Sequence, residues 1–466
     1  VVGYTAPRPF EVLATGAARA VAVGTSMYTN HLDFDRDFAV GTRTQSGLFR
    51  QVSIFGDTFS LPVSGQITAQ PDFGRSIANL GDFNGDGFSE VLVASQAAND
   101  TAVRAPAILL RIPNTRMPRA FDFANVQFGH RNITQTHPAW AVGGGDVNGD
   151  GYSDMVIGAP SNDGTNGTTT VIYGYDAPTS ANFATATSST ITGNSPAFGG
   201  AVVSGCDFDG DGFADFAVSS VALDPMDNTP RPVRVFFGGA SAPFAEVAID
   251  PPASLPNGAR AQRWGSTLAC GADLDGDGRG DLAISDITAR IAATRVGAVT
   301  AWSLARRAPT LLFEQTGAVT GDTGFGHAVT MGTIPFAGQE SAHVLVVGAP
   351  RGGTGNGEVK VYRYNRTTTP EMIVMFNNFP AGGFGGSSVG IADINGFGRP
   401  RDAAVLMGVL GRGLDTSMAG MPPLPRDGCI YALAPRALPV GLTTTWTTLT
   451  AWEPATGEGL GATMAH

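Results

Sequence analysis

One nine-residue pattern recurs along this chain and limits what it can fold into. It reads DFNGDGFSE from Asp82, DVNGDGYSD from Asp146, DFDGDGFAD from Asp207 and DLDGDGRGD from Asp273. Successive starts lie 64, 61 and 66 residues apart. A repeat of that length is one supersecondary unit, too small to bury its apolar faces alone, so copies must stack on one another. A degraded copy, DINGFGRPRD, starts at Asp393, about two periods beyond Asp273. Between them FGHAVTMG (325–332) and HVLVVGAP (343–350) read as the flanks of a copy that has lost its loop. One period before Asp82 stand RAVAVG (19–24) and DFAVGT (37–42). Seven copies of about 60 residues thus cover nearly all of the 466.

Each copy keeps one internal order. An aromatic-glycine pair comes first: Phe73-Gly74, Phe198-Gly199, Trp264-Gly265, Phe325-Gly326 and Phe384-Gly385, with His137-Pro138 as the departure. A short apolar strand, the Asp/Gly loop and a β-rich run follow, the last as VLVAS (91–95), MVIGAP (155–160), FAVSS (216–220) and LAISD (282–286). A third strand follows a variable loop: VSIFG (52–56), AILLRI (107–112), VIYGY (171–175), VRVFFG (233–238), VTAWSL (299–304), VKVYRY (359–364) and CIYALA (429–434). A weaker fourth strand closes the unit. Four short strands repeated seven times, with no helical periodicity, predict an all-β, seven-bladed β-propeller of four-stranded antiparallel blades. The chain is then a single domain, with blades near 19–72, 73–136, 137–197, 198–263, 264–324, 325–383 and 384–466. TTTWTTLTAW (443–452) reads as the last fourth strand, while GLGATMAH (459–466) and RAVAVG (19–24) compete for the role of a first strand, and both termini are expected to seal the ring.

These residues resemble the FG-GAP repeats that build the β-propeller of integrin α chains. The FG pair, the GAP ending at 158–160 and 348–350, and the acidic loop between them carry the likeness. Four copies match closely and three in their strands alone. The resemblance implies a seven-bladed propeller with calcium in the loops between first and second strands, and a partner bound on the opposite face.

The loops support the metal reading on their own chemistry. Calcium takes six to eight oxygen ligands in flexible geometry. Each strong loop offers side-chain oxygen at positions 1, 3, 5 and 9 and a backbone carbonyl at position 7. The sets are Asp82, Asn84, Asp86, Phe88 and Glu90; Asp146, Asn148, Asp150, Tyr152 and Asp154; Asp207, Asp209, Asp211, Phe213 and Asp215; Asp273, Asp275, Asp277, Arg279 and Asp281. An EF-hand would need a Glu at position 12 and flanking helices. Position 12 is Val93, Ile157, Val218 and Ile284, within apolar runs, so that reading fails four times. The loops hold 14 of the 40 acidic residues, and four Ca²⁺ would move the formal charge from −11 to −3. About four ions per chain are expected. The degraded copy keeps Asp393 and Asn395 but has Phe397 at position 5 and Asp402 one place late; Asp33, Asp35 and Asp37 read as a solvated loop.

Other features assign less. Arg279-Gly280-Asp281 spells RGD, but both charged residues fall at loop positions, so a structural role is expected. Asn99, Asn132, Asn166 and Asn365 fit N-x-S/T, a short pattern common by chance. His31, His130, His137, His327, His343 and His466 are scattered, and His343 stands where other copies carry the position-9 acid. No catalytic set is assigned. Cys206, Cys270 and Cys429 are too few for a disulfide scaffold and are expected as buried free thiols. No apolar run nears the ~18 residues of a membrane helix, and the basic residues form no cluster, so neither a membrane span nor a nucleic-acid partner is expected. A first residue of Val1 reads as a processed product, and a single lysine, Lys360, suggests a GC-rich, bacterial genome. The expectation is a secreted or surface-exposed monomeric recognition or adhesion module for a protein or glycan. Its long 220–231 and 408–428 loops are the candidate partner surface, with a lectin or a polysaccharide-active enzyme as the alternatives.

Overall fold

The computed structural model describes residues 17–23, 38–43, 50–55, 76–85, 90–94, 107–110, 141–161, 164–176, 186–221, 226–319, 321–334, 342–353, 355–377, 383–393, 403–411, 429–433 and 450–452. Side chains are described for 80–85, nearly all of these residues between 141 and 377, and part of 385–407.

The described chain is all-β and consists of consecutive antiparallel sheets, each a simple meander. The first holds Ala17–Val23, Phe38–Arg43 and Arg50–Phe55; the second Ser76–Gly81, Glu90–Ala94 and Ala107–Leu110. The third holds Ala141–Gly145, Asp154–Ala159, Thr168–Ile172 and Ser188–Thr192; the fourth Val202–Cys206, Asp215–Val218, Val233–Phe237 and Ala245–Ile249. The fifth holds Leu268–Cys270, Leu282–Asp286, Ala298–Ser303 and Thr310–Thr316, with a small extra hairpin, Arg290–Ile291 and Thr294–Arg295, between its middle strands. The sixth holds Ala328–Ile334, Ala342–Ala349, Glu358–Arg363 and Glu371–Phe376; the seventh Gly383–Asp393, Ala403–Gly411, Cys429–Leu433 and Thr450–Trp452. The first sheet starts at Ala17, two residues ahead of the expected first repeat, and the seventh at Gly383, one residue ahead of its own. The third strand of the third sheet starts earlier than the apolar run at Val171, because the β-branched Thr168–Thr170 already pair.

Burial grades across each sheet. The second strands Asp154–Ala159, Asp215–Val218 and Leu282–Asp286 are buried at every residue, which is why they read as continuous apolar runs. The fourth strand Ser188–Thr192 alternates between exposed and half-buried. The first strand of each sheet lies against the first strand of the next, and that of the seventh lies against that of the first. This arrangement is consistent with a β-propeller.

The aromatic of the FG pair is the wedge between neighbours. Phe198 packs on Val156 and Val171 of the third sheet and on Phe216 and Val218 of its own. Trp264 and Phe325 repeat this one and two sheets on, each almost fully buried. Burying such a ring contributes about 1.5–3 kcal/mol. The glycine after it closes the bend on its own second strand: the Gly199 N–H donates to the Ser219 carbonyl at 3.0 Å, Gly265 to Ser285 at 2.9 Å and Gly326 to Gly348 at 3.1 Å.

The cysteine expectation needs correction. Cys206 and Cys270 are not free thiols but a disulfide, with Cα atoms 6.3 Å apart. They end the first strands of the adjacent fourth and fifth sheets, and the stacking of first strands brings equivalent residues within bonding reach. The Cys429 side chain lies outside the described residues.

Candidate metal centres

The acidic loops join first to second strands, so antiparallel alternation puts them at one end of the sheets; the loops joining second to third strands fall at the other. The third, fourth and fifth sheets show the local design in full. Position 1 holds the loop closed. Asp146 Oδ1 accepts the Gly149 and Asp150 N–H groups at 2.7 and 3.1 Å, and its Oδ2 accepts Gly151 at 2.9 Å. Asp207 and Asp273 repeat the same three bonds. Asp150, Asp211 and Asp277 at position 5 each accept the N–H two residues on.

Position 9 is the buried end of the site. Asp154, Asp215 and Asp281 are wholly shielded from solvent. Their Oδ2 atoms accept the N–H of position 2: Val147 at 2.8 Å, Phe208 at 2.7 Å and Leu274 at 2.7 Å. Oδ1 of Asp154 also accepts the Gly174 N–H at 2.8 Å, and Oδ1 of Asp215 accepts Gly238 at 2.7 Å. Asp281 Oδ1 is buried with no hydrogen-bond partner. Burial lifts Asp154 and Asp215 from the usual carboxylate range to about 7 and Asp281 to about 8, with the neighbouring loop carboxylates adding to the rise. Backbone donors pull the other way in all three, and Asp281 has the fewest.

The reason lies at the end of the third strand. Gly174 and Gly238 approach so closely that a Cβ would meet the Ser153 carbonyl oxygen at 2.5 Å and that of Ala214 at 2.6 Å. Leu304 takes that place in the fifth sheet. The chain there leaves the strand in a short 3₁₀ turn, Ala305–Arg307, and the N–H that would serve Asp281 is lost. A glycine after the strand in VIYGY and VRVFFG, absent from VTAWSL, was the sequence signal for this contact.

Of the expected sets, the structure brings together the position-1, -3 and -9 carboxylates of the third and fourth loops. Carboxylate oxygens of Asp207, Asp209 and Asp215 lie within 4.8 Å of one another, as do those of Asp273, Asp275 and Asp281, close enough to share a metal ion. The orphaned Asp281 oxygen gives the loop at 273–281 an unfilled acceptor, which a cation would satisfy. The loop at 146–154 has Asn148 at position 3, donating to Asp150 at 2.9 Å. Of the loop at 82–90, Asp82 and Asn84 are described, with Asp82 accepting the Gly85 N–H at 2.7 Å; Asp86, Phe88 and the Glu90 side chain lie outside the described residues. Asn395, Phe397, Asp402, Asp33, Asp35 and Asp37 also lie outside. His343 occupies the second residue of its strand, and its Nδ1 accepts the Asp273 N–H at 3.3 Å.

Neighbouring loops are stitched in series. The position-8 N–H donates to the position-1 carbonyl of the preceding loop: Ser153 to Asp82 at 2.8 Å, Ala214 to Asp146 at 2.8 Å and Gly280 to Asp207 at 2.9 Å. The position-7 side chains, Tyr152, Phe213 and Arg279, cover the position-4 glycines Gly85, Gly149 and Gly210 of that preceding loop. Arg279 also donates to the Asp209 carbonyl at 2.8 Å and pairs with Asp277 at 3.1 Å. With Arg279 bridging loops and Asp281 buried, the RGD string does not present its carboxylate at the surface.

At the other end, the 408–428 loop lies largely outside the described residues. The described part of 220–231 is tied by an Arg231–Asp227 ion pair at 2.7 Å and leaves Met226 80% exposed. Asn365 Oδ1 accepts the Thr367 N–H at 3.1 Å and is held in its turn; Asn166 is exposed.

Residues 73–105 and 138–173, which span the first and second acidic loops, match the family model of the FG-GAP repeat. These two segments are FG-GAP repeats, consistent with an integrin α-like repeat domain. No curated protein matches it.

Proposed function

We infer that this chain is a seven-bladed, calcium-stabilised propeller that recognises a protein or glycan partner outside the cell. The convergence of position-1 and -3 carboxylates on the buried position-9 acid in two loops, with Asp281 Oδ1 unpartnered, is the observation that carries it. The donors are all oxygen, which suits a hard cation and no thiolate or imidazole metal. Calcium would be held by Asp146, Asn148, Asp150, the Tyr152 carbonyl and Asp154, and by the equivalent residues of the other three loops; bound, it supplies positive charge that offsets carboxylate repulsion. Ring closure is supported by the first-strand contacts that run from sheet to sheet and back to the start. The Cys206–Cys270 disulfide favours an oxidising compartment. FG-GAP modules commonly bind proteins, which supports recognition over catalysis.

Extracellular modules hold calcium at roughly 10⁻⁴–10⁻³ M, matched to the millimolar ion outside cells. At ~1 mM calcium and Kd ~10⁻⁴ M, each site adds about 1.4 kcal/mol, and four add roughly 6 kcal/mol. Metal analysis by mass spectrometry together with a melt in chelator tests the reading. Near four calcium ions per chain and a sharply lower chelated Tm are expected; no calcium and an unchanged melt would reduce the loops to turns. A glycan array and a hydrolase and lyase screen separate protein recognition from the lectin and enzyme alternatives.

A further inference from the structure

The third loop already holds a cation of the protein's own. Arg307 reaches back from the fifth sheet, its Nε donating to Asp209 Oδ2 at 2.5 Å and its Nη2 to Asp211 Oδ2 at 3.2 Å. These are loop positions 3 and 5. The guanidinium also stacks 5.0 Å from the Phe237 ring centroid, at the end of the strand that precedes Gly238. A second guanidinium, Arg279, binds the Asp209 carbonyl from the same sheet. The first and second loops are covered instead by the uncharged rings of Tyr152 and Phe213.

The Arg307 backbone is held in an unusual form. Arg306 and Arg307 have φ of 58° and 59°, the left-handed region that non-glycine residues enter only when their surroundings hold them there. The turn closes through the Arg307 and Ala308 N–H groups on the Leu304 and Ala305 carbonyls, and the contacts to Asp209 and Asp211 tie its side chain to the third loop. A calcium ion in the third loop would draw on the same two carboxylates, so ion and guanidinium compete for charge.

We propose that Arg307 is a tethered counter-cation of the third loop, making that loop the weak, exchangeable calcium site and coupling its filling to release of the 305–307 turn. The proposal rests on the calcium reading above. Without the ion, Arg307 relieves repulsion among Asp207, Asp209, Asp211 and Asp215. With the ion, the guanidinium is redundant, and by linkage whatever it costs the ion in affinity the ion costs it in occupancy.

The test is a calorimetric calcium titration of the chelated full chain, with hydrogen exchange read at the Arg307 and Ala308 amides, which bond to the Leu304 and Ala305 carbonyls. The wild type should show a weaker class of site, abolished by Asp207→Asn, whose filling speeds exchange at those two amides. Arg307→Gln should tighten that class roughly twofold to fivefold, the scale of one partly exposed charge pair. Arg306→Gln, which removes an adjacent charge that makes no ion pair with the loop, should leave it unchanged. Identical titrations for wild type and Arg307→Gln would overturn the proposal, and weaker binding in the variant would do so too, by making Arg307 a positioning residue for the ion. Absence of binding heat at every loop would instead remove the calcium reading and this proposal with it, a result distinct from both.

Discussion

The Phe213 ring fills the space that a side chain at Gly149 would need: a Cβ there would stand 2.5 Å from the ring's Cε1. Gly149 belongs to the second loop and Phe213 to the third, so this contact joins two sheets through their loops. Gly149 also has φ of 73°, where a Cβ is strained whatever the space. Gly149→Ala should therefore cost about 2–4 kcal/mol, strain and clash together. Gly210→Ala has a similar backbone, φ 80°, but meets the Arg279 side chain, which can swing aside. Its cost should be smaller by about 1 kcal/mol or more, the price of a displaced side chain being below that of a displaced ring. Thermal melts of the two variants in chelator measure the difference, and equal losses would contradict the packing argument.

The disulfide links two sheets across 64 residues of chain. Closing a loop of that size removes enough unfolded-state entropy to stabilise the fold by up to about 4 kcal/mol, an upper figure because such bonds often deliver less. Cys206→Ala with Cys270→Ala should lower Tm by several degrees without altering the all-β circular dichroism spectrum. Labelling with a maleimide before and after reduction gives an independent check: two thiols should become reactive on reduction. Thiols at Cys206 and Cys270 that react without reduction would show that the bond does not form in solution.

The repeat period made the sheets legible, because a strand buried on both faces leaves an apolar run and each acidic loop keeps oxygen at fixed positions. Phe198, Trp264 and Phe325 stood out for the same reason: each must wedge between neighbours. What escaped were particular side-chain pairs that adjacency between repeats creates. Cys206 and Cys270 look unrelated until first strands stack. Arg307 lies 98 residues from Asp209 in sequence, and no local pattern ties them. Position 9 was legible as a fixed acid of the loop but not as a clamp on Val147, Phe208 and Leu274. The second bond of that acid, from Gly174 or Gly238, depends on where the third strand ends, and in the fifth sheet Leu304 changes the ending.

Proton and calcium should compete at position 9. The folded-state values of Asp154 and Asp215 rise to about 7 and that of Asp281 to about 8, from an ordinary 3.8. Raised carboxyls favour the folded state below their unfolded value and lose that contribution as pH climbs through the folded value. In chelator, stability should thus fall between about pH 4 and pH 8, the last part belonging to Asp281. Calcium favours the ionised form, so its stabilising increment should grow across pH 6 to 8.5 and binding near pH 7 should release protons. Melts with and without calcium over that range decide it. A chelated Tm that stays level or rises with pH would show that these carboxyls are ionised in the fold without the ion.

Asp215 and Asp281 should respond differently to the same substitution. Asp215 accepts two buried N–H groups, Phe208 on one oxygen and Gly238 on the other. An asparagine has one carbonyl oxygen and one amide, so Asp215→Asn must leave one of those donors facing a donor, at a cost of about 1–3 kcal/mol. Asp281 uses one oxygen, toward Leu274, and its other finds no partner. Asparagine can keep the Leu274 bond and turn its amide toward the acidic loop, with Asp273 and Asp275 nearby. In chelator, Asp281→Asn should therefore be close to neutral, or slightly stabilising, while Asp215→Asn lowers Tm. In calcium both should lose the ion-dependent increment of their own loop. Paired melts of the two variants, with calcium counted in each, separate the clamp from the ligand: a chelated loss for Asp281→Asn as large as that for Asp215→Asn would mean that the Asp281 carboxylate has a backbone partner after all.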